Sequence, residues 1–194
     1  MRRDEFTERM IESIVDHMLE KGIIEEKCRA IICYGLDLFI SSVISLTIFL
    51  TVGWVIGQGS RMTCLLAAFI PIQSFGGGYH CQTHFKCWML TACGLLATLA
   101  AMQCLSVGAF AVGAAMSAFP ILKIAPVRNE KAHFSDAFGE KMHRIVSVVY
   151  VVELSVAGLI YSIGMDAKPI LGAVILAGVS IVCAVCCLNR KSVN

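Results

Sequence analysis

The sequence predicts an all-α integral membrane protein, in which an amphipathic helix precedes about six transmembrane helices. Its 194 residues are 57% hydrophobic and only 15% charged, and the mean hydropathy is +0.76. Between Ile31 and Leu188 the apolar residues form successive runs of roughly 17–25 residues, the length that a helix needs to cross about 30 Å of hydrocarbon. A soluble domain of this length would need more charge to cover its surface.

Residues 1–29 are predicted to form the amphipathic helix. Its apolar side chains recur at helical spacing with charged residues between them: Phe6, Met10, Ile11, Ile14, Met18 and Leu19. Six basic and eight acidic residues give this segment a net charge of −2. Because helices that bind anionic lipid are usually basic, we expect this one to pack along the cytoplasmic face or against a protein partner.

Residues 30–194 are predicted to form the membrane domain. Its spans are expected at about 31–56, 62–79, 87–105, 108–126, 145–164 and 169–188. The second run is the weakest, since Gln73, Ser74 and the three glycines at 76–78 interrupt its end, and a re-entrant segment is the alternative.

The distribution of basic residues favours six crossings with both termini inside. In that topology the outer loops contain only Arg61 and Lys168 of the 16 basic residues. If 62–79 did not cross, the basic residues at 128–144 would move outside, against the positive-inside rule. The basic residues are spread over several short loops, which gives no indication of a nucleic-acid partner.

Two acidic residues lie within predicted spans, and such residues are functional candidates by default. Asp37 is near the inner end of the first span and can reach the interface. Glu153 is deeper, about a third of the way into the fifth. A packing role is favoured for both, but a small-peptide transporter or exporter that uses them as pathway carboxylates is the alternative from another functional class. The sequence shows no internal duplication of the kind many transporters have.

Glycines, histidines and cysteines converge only at residues 76–87, at the predicted cytoplasmic ends of the second and third spans. A cysteine becomes a peptidase nucleophile when a nearby imidazole takes its proton. His80 and Cys87 are seven residues apart, which on a straight helix separates their Cα atoms by about 10 Å. We therefore expect the second helix to end at or before Gly78 and a new helix to begin within a few residues of Cys87. His84 is closer to Cys87 in sequence, and spacing does not exclude it.

A metal site is the competing interpretation of this segment. On a continuous helix His80, His84 and Cys87 would share one face beside Cys81, and both residue types bind zinc. No acidic general base accompanies them, and the glycines argue against a continuous helix. Spacing alone leaves open a cysteine peptidase, a metal-dependent membrane hydrolase and an interfacial loop without chemistry.

Gly77-Gly78-Tyr79-His80, followed seven residues after the histidine by Cys87, resembles the signature of the accessory gene regulator protein B family. These are bacterial membrane endopeptidases that process the precursor of a cyclic autoinducing peptide. The segment from Lys123 to Lys131, with Glu140 and Lys141 downstream, resembles the family's second block. The N-terminal helix and the span count also match, so the resemblance covers nearly the whole chain.

The resemblance implies that His80 is the general base, that Cys87 is the nucleophile, and that Gly77 and Gly78 support them. It implies that Cys81 and His84 are bystanders and that no metal or cofactor takes part. Family members often carry a basic residue before the glycines, where this chain has Gln73-Ser74-Phe75. Holding an acidic substrate tail would therefore fall to basic residues elsewhere, and the candidates are Lys86, Arg128 and Lys131.

The implied reaction begins when Cys87 attacks a peptide bond near the C-terminal side of a short precursor, which releases the tail and leaves an acyl-enzyme thioester. The peptide's own Cys or Ser can then capture the acyl group as a thiolactone or lactone. The implied partners are this precursor peptide and the lipid bilayer of a bacterial cell membrane, with a homodimer left open.

Overall fold

The computed structural model describes residues 2–77, 84–127 and 136–192, and all regular secondary structure in these ranges is helical. The α-helices are α1 (Arg2–Glu20), α2 (Arg29–Val55), α3 (Gly59–Gly76), α4 (His84–Cys104), α5 (Val107–Met116), α6 (Asp136–Ser162) and α7 (Lys168–Ser192). A 3₁₀-helix at Glu26–Cys28 precedes α2, and a π-helix at Pro120–Ile124 follows α5. The all-α prediction is confirmed for the described residues.

The chain divides into two compact units, residues 1–48 and 49–194, with the boundary inside α2. In the first unit α1 ends at Glu20 and is shorter than the helix predicted over 1–29. One of its faces is buried: Ile11 and Val15, one helical turn apart, are only 3% and 0% exposed. The Arg29 guanidinium at the start of α2 donates to the Asp16 carboxylate of α1 at 2.9 Å. This hydrogen bond, with the charge of Asp16, raises the pKa of Arg29.

In the second unit α7 is the central helix and contacts α3, α4, α5 and α6. Close approach depends on its glycines, as is common where helices pack in membranes. A Cβ atom on Gly178 would lie 2.7 Å from Ser117 Oγ, and one on Gly172 would lie 2.7 Å from Thr98 Cγ2. The α5 and α6 helices are joined by the Tyr150 hydroxyl, which donates to the Ala114 carbonyl at 3.1 Å.

One end of α7 is also fixed to α3 and α4 by charged side chains. Arg61 of α3 donates to Asp166, just before α7, at 3.1 Å. The Lys168 ammonium donates to the Met102 carbonyl in the last turn of α4 at 2.7 Å. A cation at this end of a helix complements its dipole. The two basic residues that the topology prediction assigns to the outer loops therefore lie at the same end of the helix bundle.

Five helical segments among the described residues are long and apolar enough to cross a membrane: Gly35–Val55, Cys87–Cys104, Val107–Ile124, Phe138–Ser162 and Lys168–Cys187. They correspond to the first and the third to sixth predicted spans. The second predicted span, α3, is an 18-residue helix outside this set. Polar residues such as Arg61 and Gln73 lower its hydropathy. Leu65 and Ile72 on α3 are nevertheless fully buried, and the helix packs against α6 and α7. The sixth crossing stays a prediction.

The fourth span differs from the regular helix that hydropathy predicts over 108–126. The α-helix α5 ends at Met116, and the last part of the span is the five-residue π-helix at Pro120–Ile124. Proline has no backbone N–H, so Pro120 cannot donate the hydrogen bond that would continue α5.

Candidate functional site

The helix break predicted between the second and third spans is present. The α3 helix ends at Gly76, and Gly77 follows with φ 66° and ψ −173°, a conformation that is essentially restricted to glycine. The α4 helix begins at His84. An unbroken helix from Ala67 to Thr91 is thereby excluded, because Gly77 interrupts it.

Cys87 is the fourth residue of α4 and lies in its first turn. Its thiol is free and the residue is half-buried. The N-terminal turn of a helix carries partial positive charge and backbone N–H groups without helical partners, so anions are stabilised there. Cys87 thus lies near the N-terminal end of the described part of α4.

Val127, in the second segment that carries the family resemblance, contacts Gly76 and Gly77 of the glycine segment (residues 76–78). The Val127 N–H donates to the Gly76 carbonyl at 3.1 Å. A Cβ atom on Gly77 would lie 3.2 Å from the Val127 carbonyl oxygen, so the two backbones are in close contact. Residues 51 apart in the sequence are brought together at this point. We call this contact, made by Gly76, Gly77 and residues 125–127, the glycine–loop junction.

His143 on α6 also holds the glycine–loop junction, and its part is not predictable from sequence patterns. Its Nδ1 atom lies 2.7 Å from the Ala125 carbonyl oxygen. Since a carbonyl only accepts, Nδ1 carries the hydrogen and donates it. The contact joins residues 18 positions apart across the loop, so no local spacing rule signals it.

The other predicted site residues are only partly within the described structure. Lys86 lies in α4 just before Cys87, and His84 is the first residue of that helix. The remaining predicted residues lie outside the described residues: Gly78, His80, Cys81, Arg128 and Lys131. The pairing of His80 with Cys87 and the substrate contacts therefore stay predictions.

Among the described residues, no group of three His, Cys, Asp or Glu side chains could hold a metal ion. His80 and Cys81 lie outside those residues, so the metal site stays an alternative.

Glu153 is buried in the second unit, 9% exposed, and among the described residues its Oε2 atom has no hydrogen-bond partner. The only other described buried side-chain atom without a partner is Gln73 Oε1, whose amide nitrogen donates to Ser180 Oγ at 3.2 Å. Leaving a buried acceptor unpaired costs about 1–3 kcal/mol. Asp37 is only half-buried, in the first unit. Glu153 is therefore the acidic residue whose position calls for a functional test.

Comparison with known protein families gives one match over most of the chain. A family model described as Accessory gene regulator B matches residues 7–186. The matched range contains the glycine segment, Cys87 and the glycine–loop junction. No curated protein sequence and no solved structure matches the chain significantly.

Proposed function

This chain belongs to the accessory gene regulator B family, and we propose that it is a membrane-embedded cysteine endopeptidase. It cleaves a short pro-peptide through an acyl-enzyme thioester on the way to a cyclic quorum-sensing signal. The observation that carries the proposal is the break at Gly77, followed by a free, half-buried cysteine in the first turn of the next helix. The break supports the proposal because it excludes one straight helix through both spans, and the proposal requires His80 to fold back toward Cys87.

In the proposed mechanism His80 takes the thiol proton of Cys87 and leaves the sulfur as the attacking thiolate. The sulfur attacks the carbonyl carbon of the scissile bond. The C–N bond then breaks, the imidazolium gives its proton to the leaving amine, and the acidic tail departs. A thioester between the peptide and Cys87 remains.

The second step uses a nucleophile within the peptide. Its own thiol or hydroxyl loses a proton to His80 and attacks the thioester carbonyl, which forms a thiolactone or lactone and releases Cys87. Because the acyl-enzyme is a thioester, this transfer exchanges one activated acyl bond for another thioester or for an ester, and the acyl group needs no separate activation at this step.

Recognition of the acidic tail is assigned to basic residues around the break. Lys86 lies next to Cys87 on α4. Arg128 follows Val127, whose N–H is hydrogen-bonded to the Gly76 carbonyl, and Lys131 is three residues further along. The basic segment from Arg128 to Lys131 therefore begins directly after a residue that contacts Gly76. This arrangement suits a substrate whose scissile bond and acidic tail are close together.

The proposed topology has six crossings, with both termini and the site on the cytoplasmic face of a bacterial cell membrane. As an 18-residue helix α3 is about 27 Å long, close to the hydrocarbon thickness. Its crossing also keeps the basic residues at 128–144 inside.

The proposal is tested with purified protein in liposomes and a synthetic precursor that has an acidic C-terminal tail. Cys87→Ala and His80→Ala should each abolish cleavage while the protein still inserts. Cys81→Ala and His84→Ala are the matched controls and should keep most activity. The wild-type protein should accumulate a peptide adduct that hydroxylamine removes and that mass spectrometry locates on Cys87.

An active Cys87→Ala variant would exclude the proposed mechanism. Loss of activity with a chelator, but not with a thiol alkylating reagent, would favour the metal-dependent hydrolase instead.

A further inference from the structure

We propose that His143 is a positioning residue for the glycine–loop junction, the contact from which both residues 78–83, with His80, and the basic segment from Arg128 to Lys131 continue along the chain. The inference rests on the proposed function, because its consequence is a kinetic one. His143 is assigned no contact with substrate and acts only through residues 125–127.

The acceptor fixes the direction of the hydrogen bond between His143 and Ala125. The Ala125 carbonyl can only accept, so the Nδ1–H of the half-buried His143 ring donates at 2.7 Å. Both the neutral Nδ1–H tautomer and the imidazolium can make this bond. The positioning role therefore does not require proton transfer by His143.

Both backbone polar groups of Ala125 are hydrogen-bonded. The Ala125 N–H donates to the Pro120 carbonyl of the π-helix at 3.0 Å, and the Ala125 carbonyl accepts from His143. Two residues later the Val127 N–H donates to the Gly76 carbonyl. Ala125 itself is only 4% exposed. The hydrogen bond from His143 attaches residues 125–127 to α6.

The same face of α6 also contacts the glycine segment. Val146 lies three residues after His143, and positions three apart are neighbours on a helix surface. A Cβ atom on Gly76 would lie 3.2 Å from Val146 Cγ2 and 3.7 Å from Ala125 Cβ. One turn of α6 thus supports both partners of the junction, with a hydrogen bond to the loop and an apolar contact to the end of α3.

Both segments that carry the predicted chemistry begin at this junction. Residues 78–83, with His80, follow Gly77, and residues 128–135, with Arg128 and Lys131, follow Val127. If the Ala125 carbonyl lost the hydrogen bond from His143, residues 125–127 would be held less tightly, and so would the start of the basic segment that follows them. Cys87 and the glycine turn would keep their other contacts, so we expect weaker capture of the acidic tail and little change in the chemical step.

The test compares His143→Leu, which cannot donate, with His143→Asn, whose side-chain NH₂ replaces the Nδ1–H but cannot titrate. Kinetics are measured on one precursor with its acidic tail and on a second whose tail acids are changed to Gln or Asn. For His143→Leu we expect KM to rise about 2- to 10-fold on the acidic precursor, the range for one hydrogen bond, with kcat nearly unchanged. The effect should be smaller on the neutral precursor, and His143→Asn should be close to wild type on both.

Ser147→Ala is the matched control, because the Ser147 hydroxyl bonds to the His143 carbonyl within α6 at 2.8 Å and is one turn away. It should leave both kinetic constants unchanged. If His143→Leu does not accumulate in folded form, His143→Gln preserves size and polarity but moves its donor away from the Nδ1 position. It should then show the same rise in KM on the acidic precursor.

The assignment would be overturned if His143→Leu had the same KM and kcat as the wild-type protein on the acidic precursor. A His143→Asn variant with the same rise in KM as His143→Leu would also overturn it, as would a large loss of kcat in both variants, since restoring the donor would then have no effect. These failures differ from failure of the proposed function, which appears as cleavage by Cys87→Ala whatever His143 does.

Discussion

Replacing Gly77 by alanine tests whether the break between α3 and α4 governs catalysis. Alanine does not readily adopt φ 66° and ψ −173°, and such a conformation costs about 1–3 kcal/mol for a residue other than glycine. The added methyl would also lie 3.2 Å from the Val127 carbonyl oxygen, which is close enough to push the loop away. The strain falls at the residue from which the segment with His80 begins.

If the productive arrangement bears this whole cost, its population falls by about 5- to 150-fold, at tenfold per roughly 1.4 kcal/mol. We expect kcat/KM of Gly77→Ala to fall within that range. The measurement is the rate of tail release from the synthetic precursor in liposomes, with protein amount and thermal stability recorded for each preparation.

Gly164→Ala is the matched control. Gly164 also has a positive φ, 81°, but a Cβ atom there would meet nothing within 4 Å. It lies between α6 and α7, at the other end of α6 from the junction. This variant should lose some thermal stability and keep its cleavage rate. Unchanged cleavage by Gly77→Ala, or an equal loss in Gly164→Ala, would refute the argument from the break.

Three further predictions concern the membrane domain. Cysteines introduced at 57–61 should react with an impermeant reagent from outside and one at Glu130 should not; an accessible Glu130 would contradict six crossings. Glu153→Gln should keep cleavage and thermal stability, because the buried Oε2 has no partner to lose, whereas a transport mechanism through this carboxylate requires loss of function. Gly178→Leu should destabilise the fold by about 1–3 kcal/mol through overpacking against α5, seen as a lower Tm, whereas Gly158→Ala, with nothing within 4 Å of its Cβ position, should not lower Tm.

The helix break could be predicted from the sequence because its cause is local. Three consecutive glycines next to a histidine and a cysteine are sufficient to indicate that a helix ends there, and Gly77 has the expected conformation. The positions of the strongly apolar spans were predictable for the same reason, since hydropathy is a property of each segment alone. The α3 helix was harder to assign because Arg61 and Gln73 make it less apolar, while its burial depends on contacts with other helices.

The glycine–loop junction could not be predicted because its cause is not local. The contact between Val127 and Gly76 depends on how α3 and α6 pack, and no periodicity in either segment specifies it. The family resemblance identified both segments as recognisable blocks without placing them side by side. His143 had no signal at all: a single histidine at the start of an apolar helix is unremarkable until its carbonyl partner is known.

The contact of α4 with α7 has a consequence for Cys87, the proposed nucleophile. The Lys168 ammonium donates a hydrogen bond to the last turn of α4, and a Cβ atom on Gly94 would lie 2.8 Å from Leu176 Cδ1 of α7, so the two helices are in contact there. Cys87 is seven residues before Gly94, about 10 Å along the helix axis toward the N-terminal end of α4. A tilt of α4 by about 5° at Gly94 would move the Cys87 backbone by about 1 Å, and a misplacement of that size can cost an enzyme roughly a hundredfold in rate. Under the proposed mechanism, the contact between Gly94 and Leu176 therefore helps to set the position of the Cys87 sulfur.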